Sequence, residues 1–152
     1  MNYNIFNGIL DINTSIKCKL LRIQSTVKQF QFKATDESQE RSYNSILRAL
    51  LCVINPERSS LIEEIDTHLL IEVSNAPQEI TDTEIIKSFL YKIIRIVAAK
   101  DKKFKQELLD TGNLKIDTSH TIVCKFVTIS LYAELLTTLR SELLSEEHHD
   151  ES

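Results

Sequence analysis

Glycine and proline are scarce in this chain: Gly8 and Gly112, Pro56 and Pro77, in 152 residues. Phosphate loops of the G-x-G-x-x-G or G-x-x-x-x-G-K-[ST] type need closely spaced glycines, so that backbone amides can approach the phosphate. Gly8 and Gly112 stand too far apart for either, which excludes a P-loop or Rossmann nucleotide site. Because Gly and Pro mark turns, their scarcity also favours long helices over many short strands. Cysteine is limited to Cys18, Cys52 and Cys124. No C-x-x-C pair exists, so neither a zinc site nor a thioredoxin-type motif is supported. Cysteines set among apolar residues read as buried reduced thiols in an intracellular, cytoplasmic compartment. No uninterrupted apolar run is long enough for a membrane span, since Lys87, Lys92 and Arg95 break the longest. The residues after Met1, NYNIF, lack the basic and apolar regions of a signal peptide, so none is expected. Excess positive charge is lacking too, the net charge being −4. Nucleic-acid binders present a basic patch. The nearest candidate, Lys100, Lys102, Lys103 and Lys105, reads as the solvated face of a short helix.

What is present is enough for one core. Hydrophobic residues make up 42% and charged residues 26% of the chain, which is ordinary for one globular domain. The densest apolar stretch is Glu84 to Lys100. Ile85, Ile86, Phe89, Leu90, Ile93, Ile94, Ile96 and Val97 cover most of its girth at helical spacing. Only a strip through Ser88, Lys92, Arg95 and Ala99 is polar or small. A helix apolar over most of its circumference is a buried one. This predicts a central helix over about 82–100, opened by a Thr81–Glu84 capping box, with Ile86, Phe89, Ile93 and Val97 inward.

Around it the pattern is helical almost throughout. Residues 1–12 are ambiguous, because Gly8 weakens an otherwise helical spacing. Ile16, Leu20, Ile23, Val27 and Phe30 recur in steps of four and three and predict a helix over about 14–32. Alternation at Ile16, Cys18, Leu20 and at Phe30, Phe32 leaves a strand pair as the competing reading. After a polar loop, a helix is expected from about Gln39 to Ile54, closed by Pro56. The Ser60–Glu63 capping box opens another, carrying Leu61, Ile62, Ile65, Leu69 and Val73. Asp101 to Asp110 reads as a continuation or short helix ended at Gly112, and Leu114 to Asp117 as extended. A long helix is expected over about 119–144, followed by a disordered acidic tail, 145–152.

Catalytic groupings fare poorly. Asp117, Ser119 and His120 have the composition of a triad, but adjacency does not supply triad geometry; they read as a helix cap. His68 reads as half-buried and structural. His148 and His149 sit in a tail without the rigid surroundings a metal needs. Glu63, Glu64 and Asp66 suit the first turn of a helix. No catalytic residue, metal site or cofactor is therefore expected.

Three segments nevertheless carry a family resemblance. DKKFKQELLDTGN (101–113) resembles the segment of the YbiA-like N-glycosidases, the NADAR superfamily, that ends in a leucine pair followed by x-Thr-Gly. SLYAELLTTLR (130–140) is similar to their closing helix, matching at Leu136 and Arg140; Ser130, Ala133 and Thr137 stand where the family has Asn, Gly and Met. Tyr43-Asn44-Ser45 resembles their Tyr-Pro-Ser entry, with Leu47 and Arg48 in place of the glutamate and histidine that follow. The family cleaves N-glycosidic bonds in riboflavin precursors or ADP-ribose-type groups, in a pocket that also uses tryptophan, which this chain lacks. The resemblance implies a ligand site at Tyr43, Lys100, Thr111, Gly112 and Arg140, and a diverged, inactive member.

Taken together, the sequence predicts a mainly α single domain, 1–144, of five or six helices around a buried central helix, with a small β element near the N-terminus. The leading functional expectation is a non-enzymatic protein-interaction module with a protein partner and a capacity for self-association. Neither nucleic acid nor membrane is expected as a partner. The alternative is a NADAR-like domain binding a nucleotide-type N-glycoside.

Overall fold

A computed structural model of the chain describes residues 2–35, 38–117 and 129–150; at 117, 129, 130 and 147–150 only the backbone course is described. Within these bounds the protein is mainly α, with six α-helices and two small sheets.

The apolar stretch of the sequence forms α4, Thr83–Lys100. Its cap is Asp82, whose carboxylate accepts from the amides of Glu84 (2.9 Å) and Ile85 (3.3 Å). The cap therefore lies one residue beyond the expected Thr81. Ile86, Leu90, Ile93, Ile94, Val97 and Ala98 are buried. Phe89 is only half-buried and Ile85 is 44% exposed, so the apolar girth is narrower than the sequence suggests. The strip through Ser88, Lys92, Arg95 and Ala99 is exposed as expected. The helix packs against α1 (Ile46–Ile54), α5 (Lys102–Asp110), α6 (Ile129–Asp150) and strand β3 (Thr26–Phe32).

Asp101 makes the turn from α4 to α5. Its backbone N–H closes α4 on the Val97 carbonyl at 2.7 Å. One carboxylate oxygen caps α5 by accepting from Lys103 N–H (3.0 Å) and Phe104 N–H (3.1 Å). The other accepts from Lys28 N–H of β3 at 2.9 Å. A single buried side chain thus ties two helices to a strand.

The N-terminal third holds the small β element expected there, and departs from the helix expected over 14–32. Residues 5–11 form a hairpin, β1 (Ile5–Phe6) with β2 (Ile9–Asp11), whose two-residue turn is Asn7-Gly8, both at positive φ (53° and 78°). Such turns match the right-handed twist of the strands and favour Asn-Gly. β2 also pairs in parallel with β5 (Lys115–Asp117), so the expected extended segment is the third strand of this sheet. The expected helix over 14–32 is replaced by a 3-10 turn, Ile16–Cys18, followed by β3. The reason lies in β3 itself. Its register on β4 (Arg41–Ser45) shifts between Thr26 and Phe30, so Val27 and Phe30 both point inward three residues apart. A bulge converts the strand's period of two into a helix-like step.

The helix expected from Gln39 likewise begins later. Residues 41–45 are β4, and the Ser45 hydroxyl caps α1 by accepting from Arg48 N–H at 3.3 Å. The helix expected after Ser60 is broken into α2 (Ser59–Glu64), a 3-10 turn (Thr67–Leu69) and α3 (Leu70–Asn75). Arg48 accounts for the break: its guanidinium donates to the carbonyls of Ile62 (2.7 Å), Glu63 (3.3 Å) and Ile65 (2.8 Å), satisfying a helix end that would otherwise need continuation. His68 is exposed rather than half-buried.

The first part of the expected C-terminal helix, residues 119–128, lies outside the described residues. From Ile129, α6 runs to Asp150, and the backbone of 145–150 follows the course of this helix. Ion pairs Lys87–Glu134 (3.5 Å) and Arg95–Glu142 (3.9 Å) recur at one offset, so α6 lies parallel to α4. Tyr132 anchors α6 by donating to the Leu21 carbonyl at 2.6 Å.

Candidate functional site

Of the five residues nominated by the family resemblance, the structure joins two directly. Arg140 of α6 donates one Nη1 group to the Thr111 hydroxyl and to the Leu114 carbonyl, each at 2.8 Å. Thr111 in turn donates to Leu108 O at 2.6 Å. Both side chains are buried, and burial draws the Arg140 pKa down from the ordinary guanidinium value. The pair clasps α6 to the turn between α5 and β5. Gly112, next in the chain, is exposed at φ +61°, the left-handed conformation that ends α5. Lys100 is exposed at the end of α4.

Tyr43 lies elsewhere. It is buried in β4 with its ring 6.1 Å from that of Phe30, and burial pushes its hydroxyl pKa up. It lines an open, polar cleft of about 490 Å³ together with Gln29, Ser42, Asn44, Arg48 and Glu63, and with none of the other nominated residues. Leu47, at the family's glutamate position, is fully buried in the core. Arg48 is committed to the α2 carbonyls. Glu63, the cleft's carboxylate, is held by Arg41 Nη1 at 2.8 and 2.7 Å. Both oxygens of Glu63 are therefore engaged by Arg41.

A second cleft involves the exposed strip of α4. Between α4 and the β3–β4 hairpin runs a groove of about 520 Å³. Phe32, Ile96 and Ala99 supply its apolar part; Lys33, Lys92 and Arg95 supply three cations, and Glu40 one carboxylate. Lys33 and Lys92 have no ion-pair partner among the described residues. Arg95 sits 5.9 Å from the centre of the Tyr91 ring and reaches Glu142. From sequence this strip is only the solvated side of a buried helix. Its second wall comes from residues some sixty positions earlier, so no spacing along α4 reveals the groove. The adjacent Phe32-Lys33 pair is its one local trace.

The remaining candidates add little. Glu64, Asp66 and His68 are exposed. Ser119 and His120 lie outside the described residues, as do the side chains of Asp117, His148 and His149. Among the described residues no group of three His, Cys, Asp or Glu side chains is placed to hold a metal ion, and no helix is long and apolar enough to cross a membrane. Cys18 and Cys52 are buried thiols, pushed up to about 12 chiefly by burial; Cys124 lies outside the described residues. No family model matches the chain, that of the YbiA-like glycosidases included, and no curated protein or solved structure matches it.

Proposed function

We propose that this protein is a non-enzymatic interaction module, a single helical domain organised about α4 that acts by binding a protein partner inside the cell. The observation that carries the reading is the groove beside α4. An acidic chain presents there an apolar floor with two lysines on its rim, Lys33 and Lys92, that have no ion-pair partner among the described residues, a combination suited to recognition and not to bond-making. The test is capture from the protein's own cell extract with mass spectrometry, together with sedimentation of the purified chain. A specific partner or a defined self-assembly is expected. A chain that stays monomeric and retains nothing specific overturns the reading.

A second reading is favoured by the Tyr43 cleft and by the Thr111–Arg140 hydrogen bond, which joins the two longest segments of the family resemblance. Under it, the chain is a diverged, inactive NADAR-like domain that holds a nucleotide-type N-glycoside. Leu47 and the Arg41-bound Glu63 support binding without cleavage. Titration calorimetry with ADP-ribose should then show saturable binding that Asn44→Ala weakens; no heat up to millimolar ligand discards it.

A further inference from the structure

We propose that the groove between α4 and the β3–β4 hairpin takes an acidic peptide segment bearing one or two large apolar side chains, supplied by a partner protein; this rests on the interaction reading above. Three features define the chemistry. The accessible floor is apolar at Ile96 and Ala99, with the buried Phe32 packed at its edge, so an incoming apolar side chain meets a preformed surface. Among the described lining residues the rim carries Lys33, Lys92 and Arg95 against Glu40, on a chain whose net charge is −4. The local sign is therefore opposite to that of the whole molecule, which favours a carboxylate-bearing segment and steers it to this face. Lys33 and Lys92 are exposed and have no carboxylate partner among the described residues, which leaves both ammonium groups available to a docking carboxylate there. A nucleic acid fits less well, because Phe32 shows too little of its ring to stack on a base and a phosphate backbone gains little from an apolar floor.

The test selects a random dodecapeptide display library on the full chain and measures the survivors by fluorescence anisotropy. The variants are Lys33→Glu/Lys92→Glu, which reverses the rim, and Ala99→Trp, which fills the floor without changing charge. All three positions are exposed, so unchanged thermal midpoints are expected. Retained peptides should be net acidic with at least one large apolar residue. Each variant should weaken them at least tenfold, and raising salt from 50 to 200 mM should weaken them several-fold. Neutral or basic survivors overturn the proposal, as do survivors indifferent to both variants, or none at all. So does tighter binding of a labelled 20-nucleotide single strand, or a self-association abolished by the rim variant, which gives the groove to a second copy. If extract capture succeeds and is untouched by the variants, the proposal fails while the interaction reading stands. If capture and sedimentation show nothing, the interaction reading itself fails.

Discussion

Asp101→Ala should unfold the junction of three elements. The substitution removes the α5 cap, worth about 1 kcal/mol. It also leaves Lys28 N–H of β3 without its acceptor in a part-buried site, costing about 1–3 kcal/mol. The two losses share one side chain and are not strictly additive, so about 3 kcal/mol is expected. At a urea m-value of about 2 kcal/mol/M, the midpoint falls by about 1.5 M. Asp101→Ser separates the contributions, because a serine caps a helix but is too short to reach Lys28 as well. It should lose about half as much. Urea unfolding followed by circular dichroism measures all three proteins. A loss below about 1 kcal/mol for Asp101→Ala, or equal losses for Ser and Ala, would refute the account of Asp101 as a staple between β3, α4 and α5.

Leu90 is fully buried and Phe89 half-buried, so Leu90→Ala should cost about 3 kcal/mol and Phe89→Ala about 2 kcal/mol despite its larger side chain; the reverse order in urea midpoints contradicts the placement of α4. The Glu107 pKa is raised, chiefly by burial and against the lowering effect of the Leu20 N–H it accepts. The folded state then holds this proton more tightly than the unfolded chain does. Its contribution is complete below the ordinary carboxylate value and is lost as pH rises through the raised one. Glu107→Gln should therefore gain on the wild type between pH 4 and pH 7, and a difference constant across that range excludes the effect. In a Cys124→Ser background, Cys18 and Cys52, with pKa values near 12, should react with a thiol reagent at pH 8 only after denaturation; reaction within minutes in the native state is the contrary result.

How much of this was legible depended on how many segments a feature needed. α4 was visible because its apolar positions lie within one run, and Pro56 and Gly112 ended helices near the expected places. The cap at Asp82 instead of Thr81 shows that a capping motif gives the neighbourhood of a helix start, while backbone geometry selects the residue. Phe6-Asn7-Gly8-Ile9 carried a hairpin signal that the helical spacing of Ile5, Phe6, Ile9 and Leu10 masked. In β3 the register shift imitated a helix, and only the pairing of Phe30 with Tyr43 across the hairpin resolves it. The broken helix after Ser60 depends on Arg48, more than ten residues earlier, reaching its carbonyls. The groove is harder still, since Phe32 and Lys33 meet Lys92, Arg95 and Ile96 only in the folded chain.

The most direct measurement places a photo-crosslinking residue at Lys92, in the groove, and separately at exposed Glu64 of α2, and irradiates each protein in its own cell extract. A discrete adduct from position 92 and none from position 64 is the result expected of a binding module that works through this face. Adducts from both positions alike, or from position 64 alone, would contradict it.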